Sequence, residues 1–254
     1  MKKNYCILFF SFTTLFFAQD YKISSIPENL LSNANAVIRE SSEDHIMKSV
    51  NEMEIKQSSA ITILNTAGDS FATVYIPYDP TTKVSNIKVE LYDEFGKLFK
   101  TFSKKDFSDY TNNPSSGLYV DNRVLVLRPI STKYPYTVKT SYETNTSDTT
   151  VLNFKPLWTY RLAVEKSSFS MLNQSGIKIR TKINDKPLAK VTHSEEGNLW
   201  KYSYQNIEAI TEENLSPSLD YLIPQVGFSP EKFSLAGKQG DMTDWNTFGK
   251  WYYQ

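Results

Sequence analysis

Most of the chain alternates apolar and polar residues with a period of two, and turn residues separate the alternating runs. This pattern is typical of antiparallel strands with one buried face and one solvated face. The clearest example is the run at residues 86–92 (NIKVELY), which is followed by the turn 93–96 (DEFG) and a returning run at 97–102. Gly96 tolerates the positive φ that a tight hairpin needs. We therefore expect an all-β fold.

The same signals predict further strands at residues 45–57, 60–65, 71–77, 123–128, 135–144, 160–170, 177–183, 188–193 and 199–205. Turn residues at 184–187 and 194–198 predict two more hairpins. Several runs exceed the usual strand length of about 5–6 residues, which predicts bulges and a large, curved sheet. Together they predict a large antiparallel β-sandwich as one domain over residues 20–240, with a division into two subdomains near residues 154–156 as the alternative.

The first 19 residues have the organisation of a secretion signal. Lys2 and Lys3 precede an apolar stretch over residues 5–17, and Ala18 provides a small residue for cleavage. A signal core needs about 7–15 apolar residues, whereas a membrane-spanning helix needs about 20. We therefore expect residues 1–19 to be removed, and the mature protein to be exported to the periplasm or cell surface without a membrane span. The alternative is a buried N-terminal strand.

Cysteine content and charge narrow the chemistry of the mature chain. Cys6 is the only cysteine and lies inside the predicted signal peptide. The mature chain is thus predicted to have no disulfide and no Cys-His-Asp acyl-transfer site, because that site needs a thiolate. Removing Lys2 and Lys3 leaves 28 − 2 = 26 basic residues against 28 acidic ones, a net charge of −2. This charge gives no long-range attraction to nucleic acid.

No sequence motif marks a catalytic, cofactor or metal site. His45 and His193 fall on separate predicted strands without metal-ligand spacing, so we expect both to be surface residues. A calcium site or, in preference, a plain surface loop is predicted where Asp106, Asp109 and Asp121 flank the polar residues 109–117. A glycosidase-type carboxylate pair stays open, since its spacing depends on the fold. We expect no catalytic residues and no cofactor.

Two short helices are predicted, one at residues 27–35 and one in the C-terminal segment 241–254. Asp244 can cap the second helix. Its apolar positions fall on one stripe, and we take them as candidate docking residues: Trp245, Phe248, Trp251 and Tyr252. A helix this short is only marginally stable alone. Its apolar stripe therefore needs a surface to pack against. The helix either folds back on its own sandwich or docks on another domain or chain.

Several motifs occur in a fixed order: residues 33–39 (NANAVIR), 60–65 (AITILN), 92–97 (YDEFGK), 104–107 (KKDF), 134–138 (YPYTV), 164–167 (VEKS) and 245–252 (WNTFGKWY). Together they resemble an uncharacterised domain family found in exported bacterial proteins, immediately upstream of a transglutaminase-like, cysteine-protease-related core. The resemblance implies an immunoglobulin-like β-sandwich without catalytic residues, because the Cys-His-Asp machinery belongs to the downstream domain. It also implies that the closing helix is either the first element of that domain or the strap that leads into it.

Three functions follow as hypotheses. The favoured one is a non-catalytic, exported scaffold or substrate-recognition part of a transglutaminase/protease-like system. The second is an independent extracellular module that binds a glycan or a protein, with exposed aromatic side chains aligned on one sheet face. The third is a hydrolase with an unrecognised carboxylate or serine site, which would require a concave pocket of converging ionisable groups.

Overall fold

A computed structural model describes residues 21–112, 121–184, 186 and 189–253 of the chain. The predicted signal peptide at residues 1–19 lies outside the described residues, and so does the part of the predicted calcium loop from residue 113 onward. Strands dominate the described residues, as the sequence predicts. None of the described helices has both the length and the apolar character needed to cross a membrane.

The strands, in chain order, are β1 (Ala36–Ser49), β2 (Glu52–Ile63), β3 (Val74–Tyr78), β4 (Thr82–Tyr92), β5 (Leu98–Ser103), β6 (Ser108–Thr111), β7 (Arg123–Leu127), β8 (Tyr136–Thr146), β9 (Leu152–Phe154), β10 (Leu162–Asn173), β11 (Ile179–Asn184), β12 (Thr192–Glu196), β13 (Leu199–Ile207), β14 (Gln225–Pro230), β15 (Lys232–Leu235) and β16 (Lys238–Asp241). The α-helices are α1 (Glu28–Leu31) and α2 (Trp245–Tyr252). Short 3-10 helices lie at Ile23–Ser25, Thr66–Ala72, Lys104–Asp106 and Leu219–Tyr221.

Eight strands form the principal sheet in the order β12-β13-β10-β1-β2-β8-β4-β5. Neighbours are antiparallel except β1 and β10, which run in parallel from the pair Ala36↔Leu162 to the pair Met47↔Asn173. The prediction of a wholly antiparallel fold is therefore wrong at the centre of this sheet. Alternation reports which face a residue takes but not which distant strand lies beside it. The large mixed sheet does not confirm an immunoglobulin-like arrangement.

Two three-stranded sheets cover one face of the principal sheet, namely β11-β14-β9 and β3-β7-β6. Aromatic rings fill the first interface, where Phe154 and Phe228 each lie 4.9 Å from Phe169 between ring centroids. The second sheet contributes Leu127 to the same core, to which the principal sheet contributes Val164 of β10. We call the covered side of the principal sheet its inner face.

The N-terminal segment lies on the opposite face. Leu30 of α1 is fully buried in a small cluster with Val37 and Ala163. The Arg39 guanidinium fixes this segment, because Nε donates to Glu165 Oε2 at 2.7 Å and Nη2 donates to the Ser25 hydroxyl at 2.7 Å. The helix predicted at residues 27–35 is present in a shorter form, as the single turn of α1.

The hairpin predicted at residues 86–102 is confirmed as β4 and β5. The Asp93 carboxylate accepts hydrogen bonds from the backbone N–H groups of Phe95 and Lys97, and Gly96 has a φ of 77°. The hairpin predicted around residues 194–198 is also present, with Gly197 in the left-handed region between β12 and β13.

Two other predictions are wrong, one about where a strand ends and one about which strands pair. Residues 45–57 were expected as one strand, but β1 ends before residues 50–51 and β2 begins after them. That turn contains neither Gly nor Pro, and Asn51 is its one turn-favouring residue. The strand at 177–183 was expected to form a hairpin across 184–187, whereas β11 pairs with β14, about forty residues later. Its basic side is exposed, as predicted, at Lys178, Arg180 and Lys182.

Candidate functional site

The predicted C-terminal helix is present as α2, and Asp244 caps it as predicted. Asp244 Oδ1 accepts a hydrogen bond from the Thr247 backbone N–H at 2.8 Å, and Oδ2 accepts one from the Thr247 hydroxyl at 3.0 Å. These bonds favour the charged carboxylate, so they hold the pKa of Asp244 below its usual value of 3.8. The cap fixes where the helix begins.

One face of α2 packs on the hairpin formed by β15 and β16. The ring of Phe233 lies 4.8 Å from Trp251 and 6.4 Å from Phe248 between centroids. Phe233 is 1% exposed and covers Gly240 so closely that a Cβ there would come within 2.4 Å of the ring. The β15–β16 hairpin therefore forms the surface on which α2 packs.

Hydrogen bonds join this hairpin to the end of the principal sheet. The Thr149 N–H donates to the Ser234 carbonyl at 2.9 Å, and the Ser234 N–H donates to the Thr149 hydroxyl oxygen at 3.0 Å. The same hydroxyl donates to the Val50 carbonyl in the turn between β1 and β2, at 2.5 Å. The β15–β16 hairpin, on which α2 packs, is thus hydrogen-bonded to the turn between β1 and β2.

The other face of α2 is open to solvent. Trp245 is 87% exposed and Tyr252 is 70% exposed. A hollow of about 460 Å³ lies beside Trp245, with Arg180 and Met242 among its lining residues. The structure therefore places two predicted docking residues, Phe248 and Trp251, against the protein's own hairpin and leaves the other two exposed. Docking through these residues stays a prediction.

A second concave site, which we call the cleft, lies on the inner face of the principal sheet. It is a cavity of about 460 Å³, with a floor from the middle of β1, β2 and β8 and walls from residues 70–75, Leu157 and Thr159. Ser41 of β1 pairs with Ser59 of β2, and Ser59 pairs with Thr140 of β8. Small polar side chains thus lie on the part of the inner face where the cleft opens.

Sequence analysis missed the cleft, although a signal for it exists. Serine pairs occur at residues 41–42, 58–59 and 167–168. The first precedes the predicted strand 45–57, the second separates it from the predicted strand 60–65, and the third lies within the predicted strand 160–170. The strand register brings these pairs to the same level of adjacent strands. Without the register, each pair looks like an isolated polar interruption.

Glu43 of β1 brings a carboxylate to the cleft, and His45 lies behind it. His45 Nε2 is 2.5 Å from Glu43 Oε1, and Nδ1 is 3.4 Å from the Met53 sulfur. His45 is 3% exposed and packs on Phe169 with a centroid distance of 4.9 Å. The prediction that His45 lies on the surface is therefore wrong, because its position on β1 faces inward. His193 is exposed, as predicted.

Tyr142 also lines the cleft. Burial of its phenol raises the pKa of Tyr142 to about 12, and the nearby Glu43 carboxylate adds to the shift. A neutral Tyr142 hydroxyl and the Glu43 carboxylate therefore face the same space at neutral pH.

Two of the three aspartates of the predicted calcium loop, Asp106 and Asp109, are engaged elsewhere. Asp106 accepts a hydrogen bond from the Ser103 backbone N–H at 2.7 Å. Asp109 pairs with Arg123 at 3.1 Å, and hydrogen bonding by Arg123 holds the pKa of Asp109 below its usual value. No group of three or more metal-ligating side chains occurs among the described residues. The calcium alternative gains no support from them.

The sequence and fold were compared with known proteins. The model of the DUF3857 family, described as a domain of unknown function with a solved structure, matches residues 50–211. No curated protein matches the sequence. A putative protease from Parabacteroides distasonis ATCC 8503 has a similar structure, with a TM-score of 0.63 and 15% identity over 78% of this chain. This chain spans 41% of that protein.

Two further structures are similar only at TM-scores below 0.5. Yeast LTA4 hydrolase in complex with bestatin gives 0.34 at 11% identity, over 85% of this chain and 32% of its own. The M1 zinc metallopeptidase from Deinococcus radiodurans gives 0.32 at 6% identity, over 82% and 46% respectively. The likeness to the Parabacteroides distasonis protein shows a shared fold. Since the family model covers more than half of the sequence, the chain belongs to the DUF3857 family.

Proposed function

We propose that this chain is a non-catalytic, exported scaffold and substrate-recognition module that works with a transglutaminase- or protease-like catalytic domain. The exposed face of α2 docks on that domain. The active-site residues are supplied by the catalytic domain, as the family resemblance of the sequence implies.

The observation that carries this proposal is the exposure of Trp245 and Tyr252 on a helix that is held by its other face. Full burial of an aromatic side chain stabilises by about 1.5–3 kcal/mol, so two exposed rings leave a sizeable binding energy unused. Trp and Tyr are also the residue types enriched at the energetic centres of interfaces. Because Phe248 and Trp251 anchor α2, its exposed face is presented with little loss of conformational freedom on binding.

The comparison with solved structures agrees with a modular role. The Parabacteroides distasonis protein carries the word protease in its description, and this chain spans 41% of it. The shared fold therefore accounts for less than half of that protein. If the remaining part of such a protein holds a catalytic domain, the corresponding domain is the partner that binds the exposed face of α2.

The test measures association between this chain and a cysteine-containing transglutaminase-like domain encoded in frame with, or beside, its gene. The double variant Trp245→Ala/Tyr252→Ala should weaken binding at least about tenfold, which corresponds to about 1.4 kcal/mol. Its melting temperature should stay close to that of the parent, because both rings are exposed. Isothermal titration calorimetry and thermal unfolding provide the two measurements.

A matched control replaces two exposed aromatics outside α2 and its hairpin, in the double variant Phe95→Ala/Tyr221→Ala. Phe95 is 71% exposed and Tyr221 is 70% exposed. This control should bind like the parent. Equal binding by both double variants would overturn the docking proposal, as would a host genome without such a catalytic domain.

A further inference from the structure

The cleft combines an apolar wall with a single charge. Ile61, Val138 and Leu162 supply aliphatic surface, while Ser59 and Thr140 supply hydroxyls. Among the described residues that line it, Glu43 is the only Asp, Glu, Lys, Arg or His. Its volume of about 460 Å³ falls within the range of about 300–1,000 Å³ that small-molecule sites occupy.

The Glu43 carboxylate is oriented from behind by His45. A carboxylate is a strong acceptor and a thioether sulfur is a weak one, so His45 donates its Nε2–H to Glu43 Oε1 rather than accepting from it. The second oxygen, Oε2, has no hydrogen-bond partner in the described part of the chain. One acceptor is thus available to a ligand.

We propose that the cleft binds an aliphatic primary amine, namely the side chain of a lysine in a protein or peptide substrate. The ammonium group donates to Glu43 Oε2 and to hydroxyl oxygens of the floor, since it carries three donors and no acceptor. Its methylene stem lies along the aliphatic wall, as lysine stems do on apolar protein surfaces. The ring of Tyr142 adds a π face for the cation.

The charge and the strand positions argue against other ligand classes. An anion would be repelled by Glu43, whose charge no cationic side chain in the lining balances. An extended peptide cannot add as a strand at the floor, because β1, β2 and β8 each have a neighbour on both sides. A sugar would place hydroxyl groups against the aliphatic wall. Recognition therefore falls to one projecting amine side chain.

This inference extends the recognition role proposed above by naming its substrate group. It concerns the inner face of the principal sheet and needs no catalytic partner. The test on this chain alone therefore distinguishes its failure from a failure of docking through α2.

The experiment is an NMR titration of the ¹⁵N-labelled chain with Nα-acetyl-lysine methylamide. The matched probe is the Nα,Nε-diacetylated compound, which keeps the stem but has no charge. The charged probe should give saturable shifts of the backbone amides near Ser41, Ser59 and Thr140, and the neutral probe should bind at least about tenfold more weakly. N-acetylglucosamine, titrated in parallel, tests the sugar alternative.

Two variants locate the binding and guard against unfolding. Glu43→Gln should weaken binding of the charged probe at least about tenfold. Glu195→Gln, at an exposed position on β12, should leave that affinity unchanged. Ser59→Leu keeps the carboxylate and fills the cleft, so it should abolish binding while the amide spectrum stays dispersed. Equal affinity for both lysine probes, saturation by the sugar instead, or the absence of saturable shifts would overturn the proposal.

Discussion

Gly240 has no side chain in a place where a ring fills the available space. A Cβ at this position would lie 2.4 Å from the Phe233 ring, whereas a Cβ at Gly249 would meet nothing within 4 Å. Gly240→Ala should therefore displace Phe233 and loosen α2, at a cost of about 1–3 kcal/mol in the free energy of unfolding. Urea unfolding followed by tryptophan fluorescence measures this cost.

The matched control is Gly249→Ala, which lies inside α2. Alanine is favoured over glycine in a helix interior by about 0.8–1 kcal/mol, so this variant should be neutral or stabilising. If both substitutions changed stability alike, the close contact between Phe233 and Gly240 would not be the cause.

Asp244 makes the start of α2 sensitive to acid. Its folded-state pKa is lowered by hydrogen bonding to Thr247, so the cap stabilises the helix above the usual carboxyl value of 3.8. That stabilisation is lost as the pH falls from about 3.8 through the lower folded-state pKa. The Thr247 amide resonance, followed during an acid titration, should report this loss.

Asp244→Asn provides the control for this titration, because an Asn side chain caps a helix without titrating. The variant should keep α2 and remove the acid-dependent change at Thr247. A change of the same size in the variant would assign the titration to another group.

Single residues were predictable where their role is local. Asp244 caps α2 with groups three residues away, so its role was visible in the sequence. His45 was misjudged because a lone histidine on a strand gives no sign of its surroundings. Its burial depends on Glu43, two residues away, but also on Met53 and Phe169, which come from two other strands.

At the scale of elements, Arg39 connects the N-terminal segment to the principal sheet. Its guanidinium is 6% exposed and contacts Glu165, the Ser25 hydroxyl and the Lys22 carbonyl. Arg39→Ala removes these charge-assisted bonds and should lower the free energy of unfolding by about 2–3 kcal/mol. Hydrogen exchange should show early loss of protection at Leu30.

The comparison variant is Lys155→Ala, which breaks an ion pair with Asp220 at 2.9 Å between side chains that are 51% and 65% exposed. Exposed pairs contribute about 0–1 kcal/mol, so this variant should change stability little. Unaltered protection at Leu30 in Arg39→Ala would show that the N-terminal segment is held by its apolar contacts alone.

Elements with local turn signals were predicted, and elements with distant partners were not. The β4–β5 hairpin follows from the side chain of Asp93 and from Gly96. No strand was predicted after residue 205, because β14, β15 and β16 are only four to six residues long. Their pairing with one another or with β9 and β11 depends on the folded core. The cleft was missed for the same reason.

At the scale of the whole molecule, strand pairs cross the subdomain division that the sequence left open at residues 154–156. β1 pairs with β10 along most of its length, and β9 pairs with β14. The inner-face core also joins Ile38 from one side of that division to Phe228 from the other. Neither part can bury its apolar face without the other.

We therefore expect residues 21–253 to unfold in one cooperative transition. The fragments 21–155 and 156–253 should each stay unfolded alone, because each lacks the strands that complete the principal sheet. Scanning calorimetry checks the first expectation by equality of the calorimetric and van't Hoff enthalpies. Circular dichroism of the separate and mixed fragments checks the second.

Removal of residues 241–253 is the control, because it deletes α2 and leaves the principal sheet complete. This truncation should lower the transition temperature without splitting the transition. It removes the packing on Phe233, the last pair of β15 with β16 and the hydrogen bonds of Met242 to Glu231 and Arg180, all of which lie outside the principal sheet. Two resolved transitions in the full chain, or a fragment that melts cooperatively alone, would contradict a single folding unit. The parallel pairing of β1 with β10 would then be secondary to two separate cores.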